Sequence, residues 1–130
     1  MQFTVFGEPA SKANSRRSFL NKKTGKNFFA KSEKAENFSD AFLAQCPRMW
    51  PPLEGDLFAF IKIYYGSRRP DLDESLVLDL MQKAFIYKND RQVKGRLTLW
   101  ALDPGRPRVE IALWPVSPKP PARPARPAPR

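Results

Sequence analysis

Asp56-Leu57-Phe58-Ala59-Phe60-Ile61-Lys62-Ile63-Tyr64-Tyr65, followed at once by Gly66-Ser67-Arg68-Arg69-Pro70-Asp71-Leu72-Asp73-Glu74, decides how this chain is read. The first block alternates with the period of a strand. Leu57, Ala59, Ile61, Ile63 and Tyr65 share one face, and Phe58, Phe60, Lys62 and Tyr64 share the other. The second block is a charged loop. A helix is expected after it, from about Glu74 to Phe85, with Leu76, Leu80 and Lys83 or Ala84 as its inward stripe and Val77 and Met81 beside it.

Upstream, Gln2 to Phe6 reads as a brief strand closed by the turn Gly7-Glu8-Pro9. Residues 10–31 are polar and basic, and Asn21 to Lys26 resembles a hairpin turn. Ser32 to Cys46 reads as a helix capped by Ser32 and stopped by Pro47. Glu33 and Glu36 favour its first turn, and Phe38, Phe42 and Cys46 lie on one face. Downstream, Val93 to Leu102 and Pro107 to Trp114 alternate as strands, and Asp103-Pro104-Gly105 is expected to join them as a hairpin. The sum is an α+β fold: one small domain over residues 1–114, with a mixed or antiparallel sheet of three to four strands and two helices. Residues 115–130 carry seven of the chain's 14 prolines together with Lys119, Arg123, Arg126 and Arg130. They read as a disordered, basic, polyproline-II-leaning tail.

Composition narrows the chemistry. The 130 residues suffice for one core, and 23 Lys plus Arg against 13 Asp plus Glu leave a net charge of +10. That excess points to a polyanion, nucleic acid first. No apolar run reaches a membrane span and no signal peptide is evident, so no membrane partner is expected and the cytoplasm is the expected compartment. The absence of His excludes Ser-His-Asp and Cys-His catalysis. Cys46, the single cysteine, reads as a small buried hydrophobe. Chemistry must then come from carboxylates, lysines, hydroxyls and a hard metal ion.

The acids cluster. Asp71, Asp73, Glu74 and Asp79 fall within nine residues, just after Arg68 and Arg69. Asp71 and Asp73, two apart on extended backbone, point the same way, as ligands of a hard cation would. Asp90 is a candidate third ligand. A twelve-residue helix spans about 18 Å and five extended residues about 17 Å, so Asp90 can return if residues 86–90 run antiparallel beside the helix. The competing reading makes Asp73 the helix N-cap, Glu74 a dipole partner and Asp79 a solvated helix acid.

Three stretches sharpen the choice: Arg68-Arg69-Pro70-Asp71-Leu72-Asp73-Glu74-Ser75, Leu78-Asp79-Leu80-Met81-Gln82 and Asn89-Asp90-Arg91-Gln92-Val93. Together with the opening Phe3 to Lys12 they resemble the RusA family of phage and prophage Holliday junction endodeoxyribonucleases, over about residues 2–114. The resemblance implies a small Mg²⁺-dependent α+β homodimer that cuts branched DNA symmetrically, with Mn²⁺ as a substitute ion and no small-molecule cofactor. It sets the essential aspartates at Asp71, Asp73 and Asp90, and implies a bacterial cell or phage-infected host. Departures are Glu74 in place of the usual Asn, a helix start about two residues shorter, and Asn89 where relatives often carry Asp. The family's helix lysine has no counterpart, Lys83 and Lys88 being weak stand-ins.

In that scheme Asp71, Asp73 and Asp90 hold the metal, and Glu74 holds a second ion or a water. Lys12, Arg16, Arg17, Lys22, Lys23 and Lys26 grip the DNA backbone, with Arg68, Arg69, Arg91 and Lys94 near the metal. A restriction-type pattern does not fit, because Asp90 is followed two residues on by Gln92 and Glu110 by Ala112. The alternative is a non-catalytic basic nucleic-acid-binding protein, with Phe28, Phe29, Tyr64, Tyr65 and Trp100 as stacking candidates.

Overall fold

A computed structural model describes residues 1–10, 16–20 and 27–116, with 16–20 and 27–31 described by backbone alone. In chain order the elements are β1 (Gln2–Phe6), β2 (Arg16–Leu20), β3 (Asn27–Lys31), α1 (Glu33–Gln45), β4 (Leu57–Tyr65), α2 (Ser75–Lys83), a 3₁₀ turn (Asp90–Gln92), β5 (Val93–Leu102) and β6 (Arg108–Pro115). β2 and β3 pair antiparallel, as expected of a hairpin, though its turn lies outside the described residues. The remaining strands form one mixed sheet in the order β1-β6-β4-β5.

β4 is central because it is apolar on both faces. Its odd-numbered residues are buried and its even-numbered ones half-buried. β6 and β1 stack antiparallel on one side of it, and β5 runs parallel on the other. This corrects the expected hairpin between β5 and β6, which do not pair. The local turn signal at Asp103-Pro104-Gly105 is real, with Arg106 N–H donating to Asp103 O at 3.2 Å. The chain there steps over the end of β4, and Asp103 N–H donates to Tyr65 O at 2.8 Å. Burying both faces of β4 wins over pairing nearest neighbours. Its parallel partner then needs a crossover connection, which α2 supplies.

Both helices contribute to one core with the odd-numbered face of β4: Phe38 and Phe42 from α1, and Leu76, Val77, Leu80 and Met81 from α2. Ser32 caps α1 as read, its Oγ accepting from Ala35 N at 3.2 Å. Cys46 closes that helix half-buried, and burial pushes its thiol pKa up, which suits a packing role. α2 is shorter than the expected span from Glu74 to Phe85. It ends at Lys83, and Phe85 follows with a left-handed φ of 57°. Lys83 is exposed and leaves the inward stripe to the apolar residues.

Gly95 follows a register irregularity against Leu57 and Phe58, and a Cβ there would lie 2.9 Å from the Phe58 ring. β6 runs through Pro115, and Val116 N–H still donates to Asp56 O at 2.8 Å. The proposed tail beyond Val116 lies outside the described residues. No helix among the described residues is long and apolar enough to cross a membrane.

Candidate active site

Register places Arg96, Thr98 and Trp100 of β5 opposite Ala59, Ile61 and Ile63, on the face of the sheet that carries the helices. The segment 70–74 leaves β4 and is held against this row. Trp100 Nε1 donates to Pro70 O at 2.9 Å, and Arg96 Nε lies 2.8 Å from Glu74 Oε1. Tyr65, at the end of β4, is buried and stacks on Trp100 with ring centroids 5.6 Å apart. Its hydroxyl donates to Asp71 O at 3.2 Å and accepts from Asp73 N–H at 3.3 Å. Burial first, and then the nearby charges of Asp73, Glu8 and Glu74, push the Tyr65 hydroxyl pKa up. Glu8 reaches the same corner, accepting from Gly66 N–H at 2.8 Å. Tyr65 and Trp100 therefore hold the backbone that carries Asp71 and Asp73, and Arg96 holds the Glu74 side chain that follows.

Asp71 is exposed, and no described group bonds to its carboxylate. Asp73 is half-buried, and its Oδ1 accepts from Ser75 N–H at 2.9 Å. That bond supports the capping role, although the residue flanking α2 is Glu74, whose own side chain makes no cap bond. Glu74 is engaged by Arg96. Its carboxylate is therefore already balanced by a cation, unlike the ligand role expected for it.

Asp90 is presented by a different device. Asn89 Oδ1 accepts from Arg91 N–H at 2.9 Å, while Gln92 Oε1 accepts from Lys88 and Asn89 N–H at 3.0 and 3.1 Å. Gln92 Nε2 donates to Leu53 O and Gly55 O, both at 3.0 Å. The Asn89-to-Val93 block is thus a capped 3₁₀ turn stapled to the segment that leads into β4. Asp90 N–H donates to Gln82 Oε1 at 2.9 Å, and Tyr87 Oη donates to Leu78 O at 2.8 Å. The return stroke therefore brings Asp90 beside the second half of α2. Tyr87 is fully buried, and desolvation, followed by the charges of Asp90 and Asp79, raises its pKa well above the ordinary range; Arg96 opposes the rise. Asp79, Asp90 and Arg96 are thus all near Tyr87, and Arg96 reaches Glu74 as well.

Strands rise about 3.3 Å per residue, so Trp100, which holds Pro70, and Val93, which follows the 3₁₀ turn, are about 23 Å apart. Among the described residues no three carboxylates gather closely enough to hold a metal ion. The donors are nonetheless hard oxygens, and the carboxylates of Asp71 and Asp90 are bonded by no described group.

Of the basic residues expected to contact DNA, Arg68, Arg69, Arg91 and Lys94 are exposed near these acids. Arg16 and Arg17 lie in β2, described by backbone alone, as are Phe28 and Phe29 in β3. Lys12, Lys22, Lys23 and Lys26 lie outside the described residues. The sequence reading missed Tyr65, Trp100, Arg96 and Gln92 as supports of the site. Alternation marks Arg96 and Trp100 as neighbours on one face, but no spacing signal says that the acid loop lies across them.

A family model described as Endodeoxyribonuclease RusA matches residues 7–114. A search of curated proteins found no significant match.

Proposed function

Since the chain belongs to the RusA endodeoxyribonuclease family, a family of Holliday junction endonucleases, we propose that it resolves branched DNA by Mg²⁺-dependent phosphodiester hydrolysis at Asp71, Asp73 and Asp90. The observation that carries this reading is the clamped acid loop. Tyr65 and Trp100 hold the backbone of Asp71 and Asp73 beside exposed Arg68 and Arg69, and Arg96 holds Glu74.

Magnesium takes only one or two protein carboxylates and keeps several waters, so Asp71 and Asp73 fit it without a closed cage. When bound, it supplies Lewis acidity toward the phosphodiester together with its hydration water. The remaining work falls to the chain. Arg68 and Arg69 attract the backbone of the strand to be cut. Asp73 Oδ1 accepts from Ser75 N–H, which fixes its rotamer beside Asp71. Asp90, on its separate turn, offers a carboxylate that no described protein group neutralises, and its part in the reaction is the family assignment carried over to this position. Glu74 is assigned to charge balance with Arg96.

We further propose that the acting species is a homodimer. A four-way junction is close to two-fold symmetric, and a C₂ pair presents two sites to it at matched points. The test is a Mg²⁺ titration against a synthetic four-way junction, with Mn²⁺ in parallel, scored for paired nicks on opposing strands. Metal-dependent paired nicks are expected. Junction binding without nicks in either ion would leave the chain a binding protein and favour Asp73 as a helix cap alone.

A further inference from the structure

Resting on the reading of these carboxylates as the cutting site, we propose that Arg96 is a substrate-binding residue, which grips a DNA phosphate at the site and is held by Glu74. Its position comes first. Arg96 stands on β5 between Val93, which follows the Asp90 turn, and Trp100, which holds the acid loop at Pro70, and it reaches Glu74 of that loop. A phosphodiester brought to so many carboxylates meets repulsion unless a cation stands among them. Lys83 and Lys88 are exposed toward the other end of α2, and Arg68 and Arg69 belong to the loop before the acids.

The way Arg96 is held is the second observation. Glu74 takes only its Nε, at 2.8 Å. Among the described residues nothing else bonds to the guanidinium, so its terminal N–H groups remain open. The Arg96 side chain is 50 % exposed and that of Glu74 17 %, so the open end faces solvent. An open guanidinium fork matches two phosphate oxygens, a geometry that lysine cannot reproduce. An incoming phosphate meets the solvent-facing end of this guanidinium, while Glu74 holds its inner side. Thr98, between Arg96 and Trp100 on the same face, keeps a buried Oγ1 without a hydrogen-bond partner among the described residues.

The test compares Arg96→Met, Arg96→Lys and the double variant Glu74→Gln/Arg96→Met with wild type. Single-turnover cutting of a four-way junction is read in Mg²⁺, and junction binding is read against salt without metal. Arg96→Met keeps the apolar stem, so its circular dichroism should match wild type. We expect it to cut about 10- to 100-fold more slowly, the loss of one charged contact in the transition state. Its plot of log binding constant against log salt should flatten by about 0.9, one phosphate contact. Arg96→Lys should restore the salt slope but only part of the rate.

The double variant separates phosphate binding from mere neutralisation of Glu74. It should stay as slow as Arg96→Met. Recovery toward wild type, or an Arg96→Met variant with wild-type rate and slope, overturns the proposal. If Arg96→Met does not fold, Arg96→Lys carries the test, and a rate equal to wild type overturns the phosphate fork. If wild type itself does not cut, the nuclease reading fails instead, and the salt slope alone decides whether Arg96 binds phosphate.

Discussion

The acid loop at Pro70–Glu74 and the turn at Asn89–Val93 both present aspartates, but they are built in opposite ways. The loop has little internal bonding and takes its shape from distant sheet residues: Tyr65 beneath it, Trp100 on Pro70 and Arg96 on Glu74. The turn holds itself, since Asn89 and Gln92 form a reciprocal capping box at its start, and Gln92 then staples it to Leu53 and Gly55. The difference teaches that two aspartate-bearing segments of one domain can be held in place by opposite means, a borrowed scaffold and a self-contained one. Damage to each should therefore show itself differently.

Gln92→Ala should do the largest structural harm. It removes two donated and two accepted hydrogen bonds at a half-buried position. We expect a loss of about 2–3 kcal/mol in urea unfolding, with cutting impaired because Asp90 loses its frame. A loss below about 0.5 kcal/mol would mean the turn is not self-supporting.

Trp100→Phe breaks the other device more gently. The ring can still pack on Tyr65, but Pro70 O loses its donor. The expected cost is about 1 kcal/mol. Because the acid loop borrows its shape, cutting should fall several-fold while the fold holds. An unchanged rate would show that the loop is placed without Trp100.

Alkaline pH separates the two regions by their tyrosines. Both Tyr65 and Tyr87 have pKa values raised above the ordinary value near 10, chiefly by burial. A group whose folded pKa is raised contributes stability in full below its unfolded pKa and loses it as pH rises through the folded one. Stability should therefore hold to about pH 10 and decline above it. Phenolate absorbance followed beside circular dichroism should show Tyr87 ionising last, together with unfolding. Ionisation of every tyrosine near pH 10 with the fold intact would contradict the burial described here.

The same contrast explains what could be read from the sequence. β4 was legible because a sheet's two faces are written in alternate residues, and α1 because Ser32 and Pro47 bracket an apolar stripe. The Asn89–Val93 block was legible as a motif because its bonds are local. The pairing of β5 was not, since the Asp103-Pro104-Gly105 turn imitates a hairpin and only the demand to bury both faces of β4 overrides it. Nor was the clamp on the acid loop, because Trp100 and Pro70 are separated by 30 residues and their contact leaves no periodic trace. Asp71, Asp73 and Asp90 could be picked out by charge clustering and resemblance. Their separation along β5 depends on where α2 ends, which the expected longer helix misjudged.

The account's central claim is that the borrowed loop carries catalysis, and Asp73→Asn tests it most directly. The asparagine keeps the oxygen that caps Ser75 N–H, so the fold should survive. It removes the charge that a hard cation requires and one repulsion toward phosphate. Measured side by side on one four-way junction, the variant should bind at least as tightly as wild type and cut at least about a hundredfold more slowly in Mg²⁺. Cutting at near wild-type rates would contradict the account and leave Asp73 a helix cap.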